Sequence, residues 1–176
     1  IARAHVHHER VIPGVYGLPL GHYITHQLGA TQVVLRKAAM RTFAKLMAAV
    51  GSTALLPALL RATEHPRNAY IRESGCRLII LALLTNSSVR RFDFDPPSLV
   101  RSVAALLHDS SERVRVCVME LLALLAQRPP RNAAALDVVA LLRPVGLDPH
   151  SALAADLRSR LANTSLALPS INADGL

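Results

Sequence analysis

The sequence is poor in aromatic residues, which make up 3% of its 176 residues and include no tryptophan. Its apolar content is nevertheless 51%, mostly alanine, leucine and valine. Alanine and leucine are strong helix formers, whereas strands favour aromatic and β-branched residues. Because this apolar fraction is too high for a disordered chain, the composition predicts an all-α protein.

Long apolar runs are also lacking. The longest wholly apolar run covers residues 78–84, far short of the roughly 20 residues that a membrane-spanning helix needs. There are two cysteines, Cys76 and Cys117, and both lie inside apolar stretches. We interpret them as small buried hydrophobic side chains in a protein of a reducing compartment, with a disulfide or metal site as the alternative.

Lysine is scarce in a basic chain: the formal net charge is +8, and 18 of the 20 basic residues are arginine. An excess of positive charge favours an acidic partner such as an acidic protein, nucleic acid or anionic lipid. A GC-rich genome would also enrich arginine and alanine together. The positions of the arginines are therefore more informative than their number.

Patterns typical of metal centres and enzymes are missing. The three histidines of residues 5–8 have only Glu9 beside them, and His22 and His26 share a helix face without a third ligand. The sequence contains no phosphate loop, nucleophile elbow or zinc-protease helix. We therefore expect no metal, no cofactor and no enzymatic activity.

Three segments of the chain align without gaps on Arg36, Arg72 and Arg115, at spacings of 36 and 43 residues. These spacings fit the period of about 40 residues of helical repeats. An apolar residue precedes each arginine, a small or slim residue follows three positions later, and a large apolar residue seven positions later. The residues are, in that order, Leu35, Ile71 and Val114, then Ala39, Gly75 and Val118, then Phe43, Ile79 and Leu122. These positions share one helix face, so each segment is predicted to be the second helix of a hairpin, whose small residue lets a neighbouring helix approach closely.

The first helices and the turns of these hairpins follow from the flanking sequence. The helices are predicted at about residues 18–28, 53–62 and 97–107, and the turns at 29–31, 64–68 and 108–111. In the third hairpin, Asp109 or Ser110 is the expected N-cap of the second helix, and Glu112 lies in the first turn of that helix. The pair Pro96-Pro97 is expected to open the third hairpin.

A weaker fourth hairpin follows. Asn132 is predicted to cap a helix that ends near Leu142, and Asp148 or Ser151 a last helix that ends near Ala162. Stacking of hairpins is what buries their apolar faces. The sequence therefore predicts a HEAT/armadillo-like α-solenoid of about four hairpins over residues 18–162, with an N-terminal arm or partial helix over 1–17 and an extended tail over 163–176.

Residues 108–125 resemble the HEAT consensus, in which a polar turn is followed by an apolar-arginine pair and a small residue. Together with segments 87–91 and 168–176, they make the chain similar to TOG domains of the CLASP and crescerin type. This resemblance covers roughly residues 18–176. It implies a module that binds tubulin through the turns within its hairpins.

The resemblance implies a set of partner-binding residues in these turns: Gln32, Arg36, Lys37, Arg67, Asn68, Arg72, Arg113 and Arg115. Six of them are basic, and tubulin is acidic; guanidinium groups bind carboxylates bidentately. For Arg36, Arg72 and Arg115 we favour a structural role, in which the side chain packs along its helix and hydrogen-bonds the turn. Lys37, Arg67 and Arg113 are the better contact candidates.

Two departures keep an alternative open. TOG domains usually have six hairpins and a tryptophan in the first turn, and this sequence supplies about four hairpins and no tryptophan. The alternative is a HEAT/armadillo scaffold that binds another cytoskeletal protein without binding tubulin. Nucleic acid is disfavoured because stacking aromatics are scarce, and membrane binding because stacking occupies the helix faces. We expect a cytoplasmic, cytoskeletal location, with the cilium or flagellar axoneme as the specific candidate.

Overall fold

The computed structural model describes residues 26–85, 94–127, 137–143, 146, 148 and 150–162. All regular secondary structure within these residues is helical. The all-α class predicted from composition is therefore confirmed. The chain divides into two compact units, Ile1–Phe92 and Asp93–Leu176. The predicted arm (1–17) and tail (163–176) lie outside the described residues, as do segment 87–91 and Asn132.

The first unit contains three mutually contacting helices: α1 (Val33–Val50), α2 (Ser52–Thr63) and α3 (Ala69–Thr85). A helical turn at residues 26–28 precedes α1. Only Gly51 separates α1 from α2, and its φ of 89° is a conformation that glycine adopts readily. Its amide donates to the carbonyl of Met47 at 2.9 Å and so ends α1.

Close packing of α2 on α3 depends on Gly75. A Cβ at this position would lie 3.0 Å from Thr63 Cγ2 and 3.1 Å from the Thr63 backbone nitrogen. The prediction that the small residue of the repeat permits a close approach is thus confirmed for the second hairpin. Seven residues after their arginines, Phe43 and Ile79 are both buried, as the helix-face pattern predicts.

The second unit contains α4 (Pro96–Val103), a 3₁₀ helix (Ala104–His108), α5 (Glu112–Gln127), α6 (Val138–Leu142) and α7 (Ala152–Ala162). As predicted, Pro96 opens α4, and the Asp95 carboxylate caps it by accepting from the Ser98 amide at 2.9 Å. The single helix predicted over 97–107 is wrong in detail, because its second half is the 3₁₀ helix.

One capping prediction needs correction. Helix α5 begins at Glu112, directly after Ser111, so neither Asp109 nor Ser110 is its N-cap. The Asp109 carboxylate instead accepts from the Ser111 amide at 2.8 Å, within the turn. Helix α6 is described from Val138, where the Asp137 carboxylate caps it by accepting from the Ala140 amide at 2.9 Å, and the predicted cap Asn132 lies outside the described residues.

Helix α7 agrees with its prediction. The Ser151 hydroxyl accepts from the Ala154 amide at 3.2 Å, and the helix ends at Ala162. Helix α7 packs on α5, and α6 packs on α4. Leu142 and Leu157 contribute fully buried side chains to this unit.

An arginine at the start of each second helix holds the turn before it. The bonds run from Arg36 Nη1 to the carbonyls of Ala30 (2.6 Å) and Thr31 (2.8 Å), from Arg72 Nη1 to that of His65 (2.8 Å), and from Arg115 Nη1 to those of Asp109 (2.6 Å) and Ser110 (3.3 Å). Turn carbonyls lack helical partners, and a charged donor makes the stronger kind of hydrogen bond. The structural role predicted for these arginines is present in all three hairpins.

We predict that Gly75→Leu lowers the free energy of unfolding by about 2 to 3 kcal/mol, because α2 and α3 must separate to admit the side chain. Urea unfolding of the chain measures the effect. Ala48→Leu, at an exposed position of α1, is the matched control and should change the free energy by less than about 0.5 kcal/mol. Equal effects at the two positions would contradict the close-packing argument.

A second prediction concerns the arginine bonds. Arg115→Met keeps much of the apolar stem but removes the donors to the Asp109 and Ser110 carbonyls. It should lower the free energy of unfolding by about 1 to 2 kcal/mol. Arg113→Met, two residues away and exposed, should stay within about 0.5 kcal/mol of the parent. Thermal unfolding of the two variants side by side tests this, and a more damaging Arg113→Met would refute it.

Candidate functional site

The first two turns lie against each other within the first unit, and Asn68 joins them. Its Nδ2 donates to the Gly29 carbonyl at 3.1 Å, while its Oδ1 accepts from the Tyr70 amide at 2.9 Å and so caps α3. A Cβ at Gly29 would lie 2.6 Å from Asn68 Nδ2, so the first turn needs a glycine here. The structure therefore gives Asn68, predicted as a contact residue, a positioning role.

A cleft of about 560 Å³ opens between these two turns. Leu35 and Ile71 contribute apolar side chains to it, and His26, His65 and Arg67 contribute nitrogen-bearing side chains. Gln32, another predicted contact residue, also lines it, and none of the described lining residues is acidic. Among the described residues, this edge thus combines an apolar lining with groups that favour an anionic partner.

The three cations predicted as contacts are exposed: Lys37 near the start of α1, Arg67 in the second turn and Arg113 at the start of α5. Their contact with a partner stays a prediction. Arg77, Arg101 and Arg160, by contrast, form ion pairs with nearby carboxylates. That the three turns form one basic ridge stays a prediction.

Arg36 has a second fixed contact besides its turn bonds. Its guanidinium carbon lies 4.1 Å from the ring centroid of Tyr70, a cation–π arrangement. The Tyr70 ring is itself 37% exposed at this edge. The contact links α1 to the start of α3, and the sequence pattern did not indicate it because the two residues belong to different hairpins.

An exposed apolar surface at the start of α1 was also missed by sequence reasoning. Val34 is 76% and Leu35 45% exposed, with Val33 beside them. The repeat placed Leu35 in the core with its equivalents Ile71 and Val114, which are only 4% and 0% exposed. That placement is wrong for Leu35. Three consecutive apolar residues cannot all fit one helix face, and this was the available signal.

The difference between Leu35 and Ile71 has a physical cause. Ile71 packs under the preceding turn, where a Cβ at Gly29 would lie 2.8 Å from its Cδ1. Within the described part of the chain, no turn stands in that relation to Leu35. Burial at this repeat position thus depends on the hairpin before it.

The described residues include no group of three or more histidine, cysteine or acidic side chains that could hold a metal. Cys76 and Cys117 are both buried, and neither is joined in a disulfide. Their burial confirms their interpretation as buried hydrophobic side chains. No described helix has the length and hydropathy of a membrane span. The histidines of residues 5–8 and His22 lie outside the described residues.

Comparisons with known proteins point in one direction, although no family model matches the chain. It is 36% identical over 99 residues to TOG array regulator of axonemal microtubules protein 1 from Mus musculus and from Homo sapiens. These matches cover 56% of the chain and 5% and 6% of the two relatives. The chain therefore spans a small part of the relatives it matches.

A solved structure gives the fold-level comparison. It comes from work described as "Crescerin uses a TOG domain array to regulate microtubules in the primary cilium". The match has a TM-score of 0.68 and 26% identity, and covers 92% of this chain and 65% of that one. The predicted fold class and resemblance are confirmed: this chain is similar in sequence and fold to the TOG domains of crescerin, which are HEAT-like helical solenoids.

Proposed function

We propose that this chain is a non-enzymatic TOG-like module that binds tubulin or microtubules in the cytoplasm, at the cytoskeleton and in the cilium. The observation that carries the proposal is the cleft of the first unit, which exposed Arg67 lines and which has no acidic residue among its described lining. Lys37 adds a second exposed cation near the start of α1. The similarity to proteins described as axonemal and ciliary microtubule regulators supports the same partner.

The predicted contact residues divide into two groups by their hydrogen bonds. Arg36, Arg72 and Arg115 donate to turn carbonyls, and Asn68 caps a helix, so these four position the turns. Gln32, Lys37, Arg67 and Arg113 carry exposed side chains and are the residues we assign to the partner. Tubulin is acidic, so these cations speed encounter and fix orientation.

The apolar surface of Val33 and Val34 adds a contact of another kind. These exposed side chains directly follow Gln32 at the start of α1, and Lys37 lies three residues after Val34. Apolar area removed from water contributes affinity that does not depend on charge. We assign to them an apolar contact with the partner.

A scaffold that binds another cytoskeletal protein is the second candidate. The exposed Val33, Val34 and Leu35 favour it, because such a surface suits a protein partner of any charge. Under this alternative the apolar residues dominate binding and the turn cations contribute little. The two functions therefore predict opposite responses to charge reversal.

We predict that Lys37→Glu, Arg67→Glu and Arg113→Glu together weaken binding to soluble tubulin heterodimer and to microtubules by at least about tenfold, or 1.4 kcal/mol. Each substitution replaces attraction to an acidic surface with repulsion. Pull-down with soluble tubulin and co-sedimentation with microtubules measure the loss. Raising the salt concentration should also weaken tubulin binding by the parent protein, because salt screens the attraction between exposed charges.

The control is a second triple variant, Lys45→Glu, Arg101→Glu and Arg143→Glu. These cations are also exposed but lie outside the three turns, and the change in net charge is the same. Retained binding by the control and loss by the turn variant support the assignment. Unchanged binding by the turn variant would refute it, and a parent chain that fails to bind tubulin at all would favour the scaffold.

A further inference from the structure

The imidazole of His65 organises the second turn. Its Nδ1 accepts hydrogen bonds from the backbone amides of Arg67 at 3.3 Å and Asn68 at 3.1 Å. A histidine nitrogen accepts a hydrogen bond only when it carries no proton. The observed turn therefore requires the neutral ring with its hydrogen on Nε2.

The third turn performs the same task with a different side chain. Asp109 accepts from the Ser111 amide, and its carbonyl receives the anchoring arginine, Arg115, just as the His65 carbonyl receives Arg72. A carboxylate remains an acceptor at neutral and mildly acidic pH, whereas an imidazole gains a proton between about pH 8 and pH 5. Of these two turns, only the second is therefore held by an acceptor, His65, that can gain a proton in this pH range.

We propose that His65 is a proton-sensitive latch of the second turn. A proton on Nδ1 turns the acceptor into a donor that faces the Arg67 and Asn68 amides, so both hydrogen bonds are lost. Asn68 also holds the Gly29 carbonyl of the first turn. Protonation of one ring therefore loosens Arg67, the cleft and the junction of the two turns.

The direction of the pH dependence follows from the bonding. The bonds form with the neutral ring, so the turn is ordered at higher pH and loosens as the pH falls. The charged and titratable groups around the ring are Glu64 and Arg67 in the same turn, Arg72 on the following helix and His26 across the cleft.

The consequence for binding rests on the proposed function, because Arg67 and the cleft belong to the proposed tubulin edge. Ordered turns present their side chains without an entropic cost on association. Loosening the second turn by protonation should therefore weaken tubulin binding at mildly acidic pH. The latch itself does not require tubulin and can be measured on the chain alone.

Amide NMR spectra of the chain from about pH 8 to about pH 5.5 test the latch directly. As the His65 ring titrates, the Arg67 and Asn68 amides should shift with the same midpoint, and their protection from hydrogen exchange should fall by on the order of tenfold. The variant His65→Asn keeps a neutral side-chain acceptor that does not titrate, so both amides should stay constant.

His108→Gln, in the third turn region, is the matched control and should leave the titration of the two amides unchanged. The latch is refuted if the ring titrates while both amides stay still, or if the ring does not titrate in this range. It is equally refuted if the His65→Asn amides shift as those of the parent do.

The binding arm compares tubulin affinity of the parent chain and of His65→Asn at each pH, so that titration of tubulin itself cancels in the ratio. The parent should lose several-fold in affinity relative to the variant as the pH falls. If the NMR titration supports the latch but the ratio of the two tubulin affinities stays constant with pH, the second turn lies outside the interface. That result would count against the proposed edge. Absence of tubulin binding would overturn the proposed function, while the NMR result still decides the latch.

Discussion

The turns of this protein depend on one interaction, the hydrogen bonds from an arginine at the start of a helix to the carbonyls of the turn before it. These carbonyls have no partner within a helix, and a guanidinium group can satisfy two of them at once, as Arg36 and Arg115 do. The spacing of five to seven residues between donor and acceptor is constant enough to appear as a sequence repeat. Arginine enrichment, which genome composition alone could produce, therefore has a structural use at these three positions.

Features that are local in sequence could be predicted well. Phe43, Ile79 and Leu122 are buried because a helix face repeats along the chain itself, and that periodicity is visible without coordinates. Leu35 shows where this reasoning ends. Its position in the repeat matches that of buried Ile71, but Ile71 owes its burial to the turn of the hairpin before it. Burial that depends on a neighbouring layer cannot be deduced from the period of one helix.

The candidate site shows a similar division. Alignment on the arginines placed Gln32 and Asn68 at the same position, four residues before the arginine, and both were predicted to face a partner. Asn68 instead bonds a carbonyl 39 residues away, a contact that no local pattern encodes. The exposed cations Lys37 and Arg67 could be predicted because their positions next to a turn leave them outside the helix–helix contacts. Sequence thus identified the edge of the hairpins, and the structure separated the residues that build it from those available to a partner.

This separation has an electrostatic consequence. A guanidinium group that donates to a carbonyl keeps its full positive charge, so Arg36 and Arg72 add to the potential at the edge while their donors hold the backbone. At physiological salt this potential extends about 8 Å, far enough to act together with exposed Lys37 and Arg67 on an approaching acidic surface. The anchoring arginines therefore add positive charge to the turns while their hydrogen bonds hold the backbone. Replacing an anchoring arginine would change both the shape of its turn and the electrostatic potential around it. Replacing an exposed cation such as Lys37 or Arg67 changes the charge while the turn stays intact.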